Sequence, residues 1–225
     1  MKAETLDRLR AARAERRPVA RVAALDGSVD AVVEDGEGSV PEPVLAVALT
    51  ALKQNRSHDF EHEGGRWFVQ VFNPPLRLIV VGAVHISQPL IGMASGLGYD
   101  VTLVDPRGAF ATAQRFPDVS ICDEWPDDAL EALGVDGRTA VVTLTHDPKL
   151  DDPALHVALR SEAFYIGALG SRRTHAKRVE RLVEAGFDEA AIGRINAPIG
   201  LNLGGRAPAE IALAVAAQMT EALYR

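Results

Sequence analysis

The chain has 225 residues, and its 24 basic and 31 acidic side chains give a formal net charge of −7. This negative charge argues against a chain that wraps nucleic acid or coats an acidic membrane. No apolar run approaches the roughly 18 residues that a membrane span needs, and the N-terminal sequence lacks the apolar segment of a secretory signal. A single cysteine, Cys122, excludes an internal disulfide framework and a cysteine-rich metal site. We therefore expect a cytoplasmic protein that binds neither nucleic acid nor membranes.

The first third of the chain is predicted to form a small α+β domain. Its apolar periodicity and its turn signals alternate between helical and strand-like stretches. In chain order these are a helix at 5–16, strands at 19–25 and 29–34, a helix at 44–52 and a strand at 67–72.

The clearest linker is Asn73-Pro74-Pro75, because tandem prolines interrupt both strands and helices. We place a domain boundary there, with a small N-terminal domain at residues 1–73 and a second domain at residues 76–225.

The second domain alternates buried strands with helices. Its strands are continuous apolar runs, as expected for strands that are covered on both faces. The strands are expected at 76–81, 101–105, 139–145 and 164–169. The helices are expected up to residue 97, at 153–160 with Asp152 as N-cap, at 172–185 and at 209–223. This order predicts a Rossmann-like, doubly wound parallel sheet.

Ligands of such sheets bind at the carboxyl ends of the strands. The first strand ends at Gly82 and Ala83, but Val84 stands where a dinucleotide-binding turn has its second glycine. A valine side chain there disfavours NAD(P). Asp105 follows at the spacing of a ribose-binding acid, whereas Arg107 favours a phosphate. The alternative is that Asp105 is only a turn residue at the end of its strand.

Two histidines are expected at this edge. His146 and Asp147 follow one predicted strand, and His85 follows another. If the two strands are neighbours, both histidines face one pocket. Their spacing matches no metal signature, so no metal site is predicted. The alternative for each histidine is a loop residue that is hydrogen-bonded to backbone.

The segment Gly170-Ser171-Arg172-Arg173 lies between a buried strand and a helix. Positive charge is unfavourable at a helix N-terminus unless an anion binds there. Helix N–H groups and guanidinium groups both suit phosphate, so we predict an anion site. In the alternative, both arginines face solvent, as Lys177, Arg178 and Arg181 are expected to do.

Two other features of the second domain invite a functional interpretation. The glycine-rich loop around Gly200 indicates close approach of the backbone, either to a ligand or to a neighbouring helix. Cys122 precedes Asp123 and Glu124, which disfavour a thiolate, so it is interpreted as structural.

Together these segments resemble the XdhC/CoxI family, the accessory factors of xanthine dehydrogenase and related molybdenum hydroxylases. The resemblance covers about residues 76–225, with the family's order and spacing. The matching strings are LIVVGAVHIS, VTLVDPR, RFPD, VTLTHDPKLDDPAL, YIGALGSRRTHAKR and RINAPIGLNLGGRAPAEIALAVAAQM. The N-terminal third resembles a trimmed form of the family's first domain, without the family cysteine.

The resemblance implies a factor that binds the molybdenum cofactor, assists its sulfuration and passes it to an apo-hydroxylase of the xanthine or carbon monoxide dehydrogenase type. It further implies a homodimer, with a cysteine desulfurase as a second candidate partner and no catalytic residue of its own. The alternatives are an NAD(P)-dependent oxidoreductase and a degenerate paralogue that only docks onto a partner. The residues expected to bind the cofactor are Gly82, Ala83, His85, Asp105, Arg107, His146, Asp147, Gly170, Ser171, Arg172, Arg173 and Gly200.

Overall fold

A computed structural model describes residues 2–224 of the chain. The polypeptide divides into two compact units between Pro74 and Pro75. Within residues 2–224, no helix combines the length and the apolar character that a membrane span requires.

The first unit is a five-stranded antiparallel sheet with two helices. The strand order is β3-β2-β1-β5-β4. The elements are α1 (Ala3–Ala14), β1 (Val19–Ala24), β2 (Asp30–Glu34), β3 (Glu37–Gly38), α2 (Glu42–Gln54), β4 (His58–His62) and β5 (Gly65–Phe72).

Side chains of the central strand β1 point alternately to the two faces of this sheet. Ala20 and Val22 pack in a core with Val44 and Ala48 of α2, whereas Val19 packs with α1. The edge strand β4 was not predicted. Its sequence, HDFEH, is mostly polar, which protects an exposed edge from pairing with another chain.

The second unit is a six-stranded parallel sheet flanked by helices. Its strands are β6 (Arg77–Val81), β7 (Asp100–Val104), β8 (Ser120–Cys122), β9 (Thr139–Thr143), β10 (Tyr165–Ala168) and β11 (Ile195–Asn196). Its helices are α3 (Ser87–Gly96), α4 (Pro126–Leu133), α5 (Pro148–Arg160), α6 (Arg172–Glu184), α7 (Glu189–Ile192) and α8 (Pro208–Tyr224).

The strand order β11-β10-β9-β6-β7-β8 is the doubly wound order of dinucleotide-binding sheets. The predicted fold class is therefore confirmed. The order reverses between β6 and β9, which are hydrogen-bonded neighbours. In sheets of this kind the ligand crevice lies at that reversal, outside the carboxyl ends of the strands.

Both faces of the sheet are covered by apolar side chains. In β6, Leu78 and Val80 pack in the core on the α3 and α8 side, whereas Ile79 and Val81 pack on the α4, α5 and α6 side. This burial on two sides explains the unbroken apolar run in the sequence.

One predicted boundary is wrong. The helix that was expected to begin after Asp152 begins five residues earlier, at Pro148. Its N-cap is Asp147, whose side chain accepts a hydrogen bond from the backbone N–H of Lys149. Pro148 occupies the first helical position, where proline is favoured, and Pro153 lies inside the helix, where its missing N–H leaves one backbone hydrogen bond unmade.

Candidate functional site

The carboxyl ends of β6 and β9 lie side by side. Val81 pairs with Thr143, and the backbone N–H of Leu144 donates to the carbonyl of Val81. The loops that follow the two strands therefore leave the sheet at the same edge. Gly82 begins the first of these loops, the one after β6, and has φ of +109°. A Cβ there would lie 2.5 Å from Cγ2 of Thr145, which is in the second loop, the one after β9.

Backbone N–H groups of the first loop are hydrogen-bonded within the protein. The N–H of Ala83 donates to Asp105 at 2.7 Å, and the N–H of Val84 donates to Oγ of Ser87 at 3.3 Å. Oγ of Ser87 in turn donates to the carbonyl of Gly82. The backbone donors that would hold a pyrophosphate in a dinucleotide-binding fold are thus already paired.

Asp105 is fully buried at the end of β7 and forms an ion pair with Arg107. Nε and Nη2 of Arg107 each donate to one carboxylate oxygen at 2.8 Å. Burial by itself would raise the pKa of Asp105, but the hydrogen bonds from Arg107 and Ala83 outweigh burial and lower it. The structure thus pairs these two predicted ligand residues with each other.

The two histidines differ in their surroundings. His85 and His146 are both exposed at the carboxyl edge, and His146 has a left-handed backbone with φ of +64°. His146 lines a cavity of about 200 Å³, whereas His85 is not among the residues of that cavity. This cavity is therefore not one that the two histidines share.

The cavity lies between helix α6 and the loop after β9 together with the start of α5. It is lined by His146, Pro148 and Asp151 on one side and by Arg173, Thr174, Lys177, Arg178 and Arg181 on the other. Of the predicted binding residues, His146 and Arg173 reach this cavity.

Helix α6 begins as the sequence predicts. Oγ of Ser171 caps it by accepting a hydrogen bond from the backbone N–H of Thr174 at 3.1 Å. Gly170 has φ of +145°, and a Cβ there would lie 3.1 Å from the Thr174 side chain. Arg172 and Arg173, which begin the helix, are exposed, and its first N–H groups have no partners within the helix. Helix starts of this kind can bind anions through their free N–H groups.

Sequence reasoning missed the buried charges beneath this helix. Arg178 was expected to face solvent, but it is only 2% exposed and lies 3.5 Å from Asp151, which is 1% exposed. Burial lowers the pKa of Arg178 and raises that of Asp151. Asp151 also accepts a 2.6 Å hydrogen bond from Oγ1 of Thr145, so the pair connects α6 with the loop after β9.

The other predicted positions have structural contacts. The N–H of Gly200 donates to Gln218 at 2.8 Å, and a Cβ at Gly200 would lie 3.0 Å from Ala214 of α8. Packing against a neighbouring helix is thus enough to require glycine here. Cys122 is half-buried at the end of β8, and its carbonyl accepts from the N–H of Asp105. In the described part of the chain, no group of three or more His, Cys, Asp and Glu side chains could hold a metal ion.

Comparisons with known proteins agree with this architecture. Residues 78–219 match the family model described as the XdhC Rossmann domain. A solved structure from Bacillus halodurans, described as a xanthine dehydrogenase, superposes with a TM-score of 0.72 and 25% identity over 98% of this chain and 66% of its own.

Three curated relatives are also similar. The molybdenum cofactor insertion chaperone PaoD of Escherichia coli is 32% identical over 66% of this chain and 40% of its own length. A protein of Bacillus subtilis, named as a probable xanthine dehydrogenase subunit, is 30% identical over 70% of this chain and 46% of its own length. The uncharacterized protein YqeB of Escherichia coli is 28% identical over 87% of this chain and 39% of its own length. The chain thus spans less than half the length of these relatives.

The family model covers more than half of the chain, and its match begins within β6 and ends within α8. The chain therefore belongs to the XdhC family, as its sequence motifs predicted.

Proposed function

We propose that this chain is an accessory factor that binds the molybdenum cofactor and assists its sulfuration and insertion into a molybdenum hydroxylase of the xanthine or carbon monoxide dehydrogenase type. The names of two relatives, a molybdenum cofactor insertion chaperone and a xanthine dehydrogenase subunit, support a role in maturation. The cofactor is cargo in this role, and the work of the chain is to hold it and release it.

The observation that carries the proposal is the cationic start of α6 at the carboxyl edge of the sheet. A pterin cofactor ends in a phosphate, and helix N–H groups and guanidinium groups both bind phosphate well. Two arginines, Arg172 and Arg173, begin the helix that Ser171 caps. The isolated chain gains nothing from cations at this end of the helix dipole, but a bound anion would reverse that balance.

Sulfuration would depend on a partner rather than on a thiol of this chain. The described residues contain one cysteine, Cys122, which is half-buried and whose backbone pairs with the N–H of Asp105. We propose that a cysteine desulfurase supplies the sulfur, that the chain acts as a cytoplasmic homodimer, and that its first unit is a trimmed XdhC-like domain.

Cofactor binding can be tested by co-purification. The chain is expressed in cells that make the molybdenum cofactor and, as a control, in cells that cannot. After mild denaturation and oxidation, the released pterin is measured by its fluorescence. We expect about one pterin per chain from the first cells and none from the second.

Delivery is tested separately, by adding the loaded chain to an apo-hydroxylase and measuring enzyme activity. Absence of pterin from the purified chain, or pterin that never activates the hydroxylase, would contradict the proposed function.

A further inference from the structure

We infer that the cavity between α6 and the loop after β9 is a phosphate subsite in which Arg173, Lys177 and the buried Arg178 bind a doubly charged phosphate. The identification of that phosphate as the end of the molybdenum cofactor rests on the proposed function. The subsite itself rests on the geometry and charge of this cavity.

The cationic residues of the cavity form one ridge. Arg173, Lys177 and Arg181 follow one another at intervals of four residues, so they lie on the same face of α6. Like charges at this spacing repel one another. Such an arrangement is unfavourable for the empty protein and becomes favourable when an anion lies against it.

The carboxylates near the cavity neutralise only half of this charge. Arg181 donates to both carboxylate oxygens of Asp152, at 2.5 and 3.0 Å. Arg178 faces the carboxylate of Asp151 at 3.5 Å. Arg173 and Lys177 form no ion pair with any described carboxylate. Among the residues that line the cavity and their ion-pair partners, four cations thus stand against two carboxylates, and this excess of two positive charges matches a phosphate dianion.

The buried guanidinium of Arg178 is an independent sign of a missing partner. Its Nη2 donates to the carbonyl of Leu169 at 3.0 Å, but Nε and Nη1 have no hydrogen-bond partner among the described residues. An unpaired buried donor is costly, and the cost is greater for a charged group. Arg178 lines the cavity, so an anion there would neutralise a charge that Asp151 alone pairs incompletely.

The size of the cavity limits what can enter. At about 200 Å³ it is smaller than the roughly 300–1,000 Å³ of pockets that enclose a whole small molecule. A phosphate group fits inside, whereas the rest of a pterin or nucleotide must lie outside, over the carboxyl edge of the sheet. The subsite therefore recognises the phosphate end of its ligand.

The probe for this subsite is inorganic phosphate, titrated into the full chain and followed by calorimetry at fixed low ionic strength. Arg173→Ala and Lys177→Ala should each weaken phosphate binding by about tenfold or more, because each removes a charge-assisted contact. Both side chains are exposed, so these variants should remain folded. Lys53→Ala, on α2 of the first unit, removes the same charge and should leave phosphate affinity unchanged.

Arg172 distinguishes this cavity from the helix start alone. It precedes Arg173 but does not line the cavity, so Arg172→Ala should weaken phosphate binding less than Arg173→Ala does. Equal losses for Arg172→Ala and Arg173→Ala, or unchanged affinity in Lys177→Ala, would overturn the inference.

The same variants are then compared for molybdenum cofactor binding. If phosphate binds as described but the cofactor does not, the proposed function fails and the subsite stands. If wild type, Arg173→Ala and Lys177→Ala all bind the cofactor equally, the proposed function stands, and the assignment of this subsite to the phosphate end of the cofactor is wrong.

Discussion

At the scale of single residues, Gly82 shows how two loops limit each other. Its φ of +109° is strained for any side chain, and a Cβ would lie 2.5 Å from Cγ2 of Thr145. Oγ1 of Thr145 is held by Asp151, which faces the buried Arg178. The lack of a side chain at Gly82 therefore allows the first loop to lie close to Thr145, which holds the cavity residue Asp151.

We expect Gly82→Ala to lower the free energy of unfolding by more than the roughly 1–3 kcal/mol of backbone strain alone. Gly98→Ala is the matched control, because Gly98 also has positive φ, at +85°, but a Cβ there meets nothing within 4 Å. Adding Thr145→Ser to the Gly82→Ala variant removes the clashing methyl group and keeps the hydroxyl, so the double variant should recover part of the lost stability. Urea unfolding measures the stability of all these variants. An equal loss of stability in Gly82→Ala and Gly98→Ala would show that the clash with Thr145 contributes nothing.

Asp105 is expected to stabilise the fold through its charge. Asp105→Asn should lower the free energy of unfolding by about 2 kcal/mol or more at pH 7, since hydrogen bonds to charged groups contribute about 1.5–3 kcal/mol. Its pKa is lower in the folded protein, so this contribution is complete above the ordinary value of about 3.9 and is lost as pH falls below it.

The measurement for Asp105 is urea unfolding at pH 7 and at a pH below 4. The difference between wild type and Asp105→Asn should shrink at the lower pH. Asp123→Asn is the control, because Asp123 is exposed, and it should change stability little at either pH. A pH-independent difference at Asp105 would show that shape, rather than charge, matters there.

Sequence reasoning identified some of these residues but not their partners. The position of Asp105 and the cationic start of α6 followed from strand ends and spacing. Arg178 was missed, because a charged residue on a helix is normally exposed and its neighbour Asp151 lies on a different helix. Pairing of this kind depends on how α5 packs against α6.

At the scale of elements, the start of α5 provides a test. Asp147 caps this helix, whereas Asp152 forms an ion pair with Arg181. Asp147→Ala should lower the free energy of unfolding by about 1 kcal/mol, the usual cost of losing an N-cap. Asp147→Asn should keep most of the stability, because asparagine caps helices equally well. Thermal unfolding measures both variants, and equal losses would show that the charge of Asp147 matters rather than its capping bond.

The long apolar elements were predictable and the short ones were not. Strands β6, β7, β9 and β10 are mostly buried and rich in apolar residues, and the sequence alone indicates them. Strands β8 and β11 have three and two residues, respectively, and owe their structure to pairing with a neighbour. Such short edge strands have no periodicity of their own.

At the scale of the whole molecule, we expect NAD(P)H to bind weakly or not at all, although the strand order is that of a dinucleotide-binding sheet. The N–H groups of Ala83 and Val84 are paired within the protein, and Asp105 is occupied by Arg107. Calorimetric titration of the full chain with NADH and NADPH measures this directly, with a known dehydrogenase as the positive control. A dissociation constant in the low micromolar range would contradict the prediction and favour an oxidoreductase.

The parallel sheet also has a consequence for synthesis. Strand β6 lies between β7 and β9, and Arg77 of β6 pairs with Thr139 of β9. One edge of β6 therefore stays unpaired during synthesis until β9, about 60 residues later in the chain, has been made. Until then its apolar residues and open edge are available to other chains, which makes the nascent protein prone to aggregation. Because pairing between distant segments also slows folding, we expect the yield of folded protein to depend on chaperones and on growth temperature.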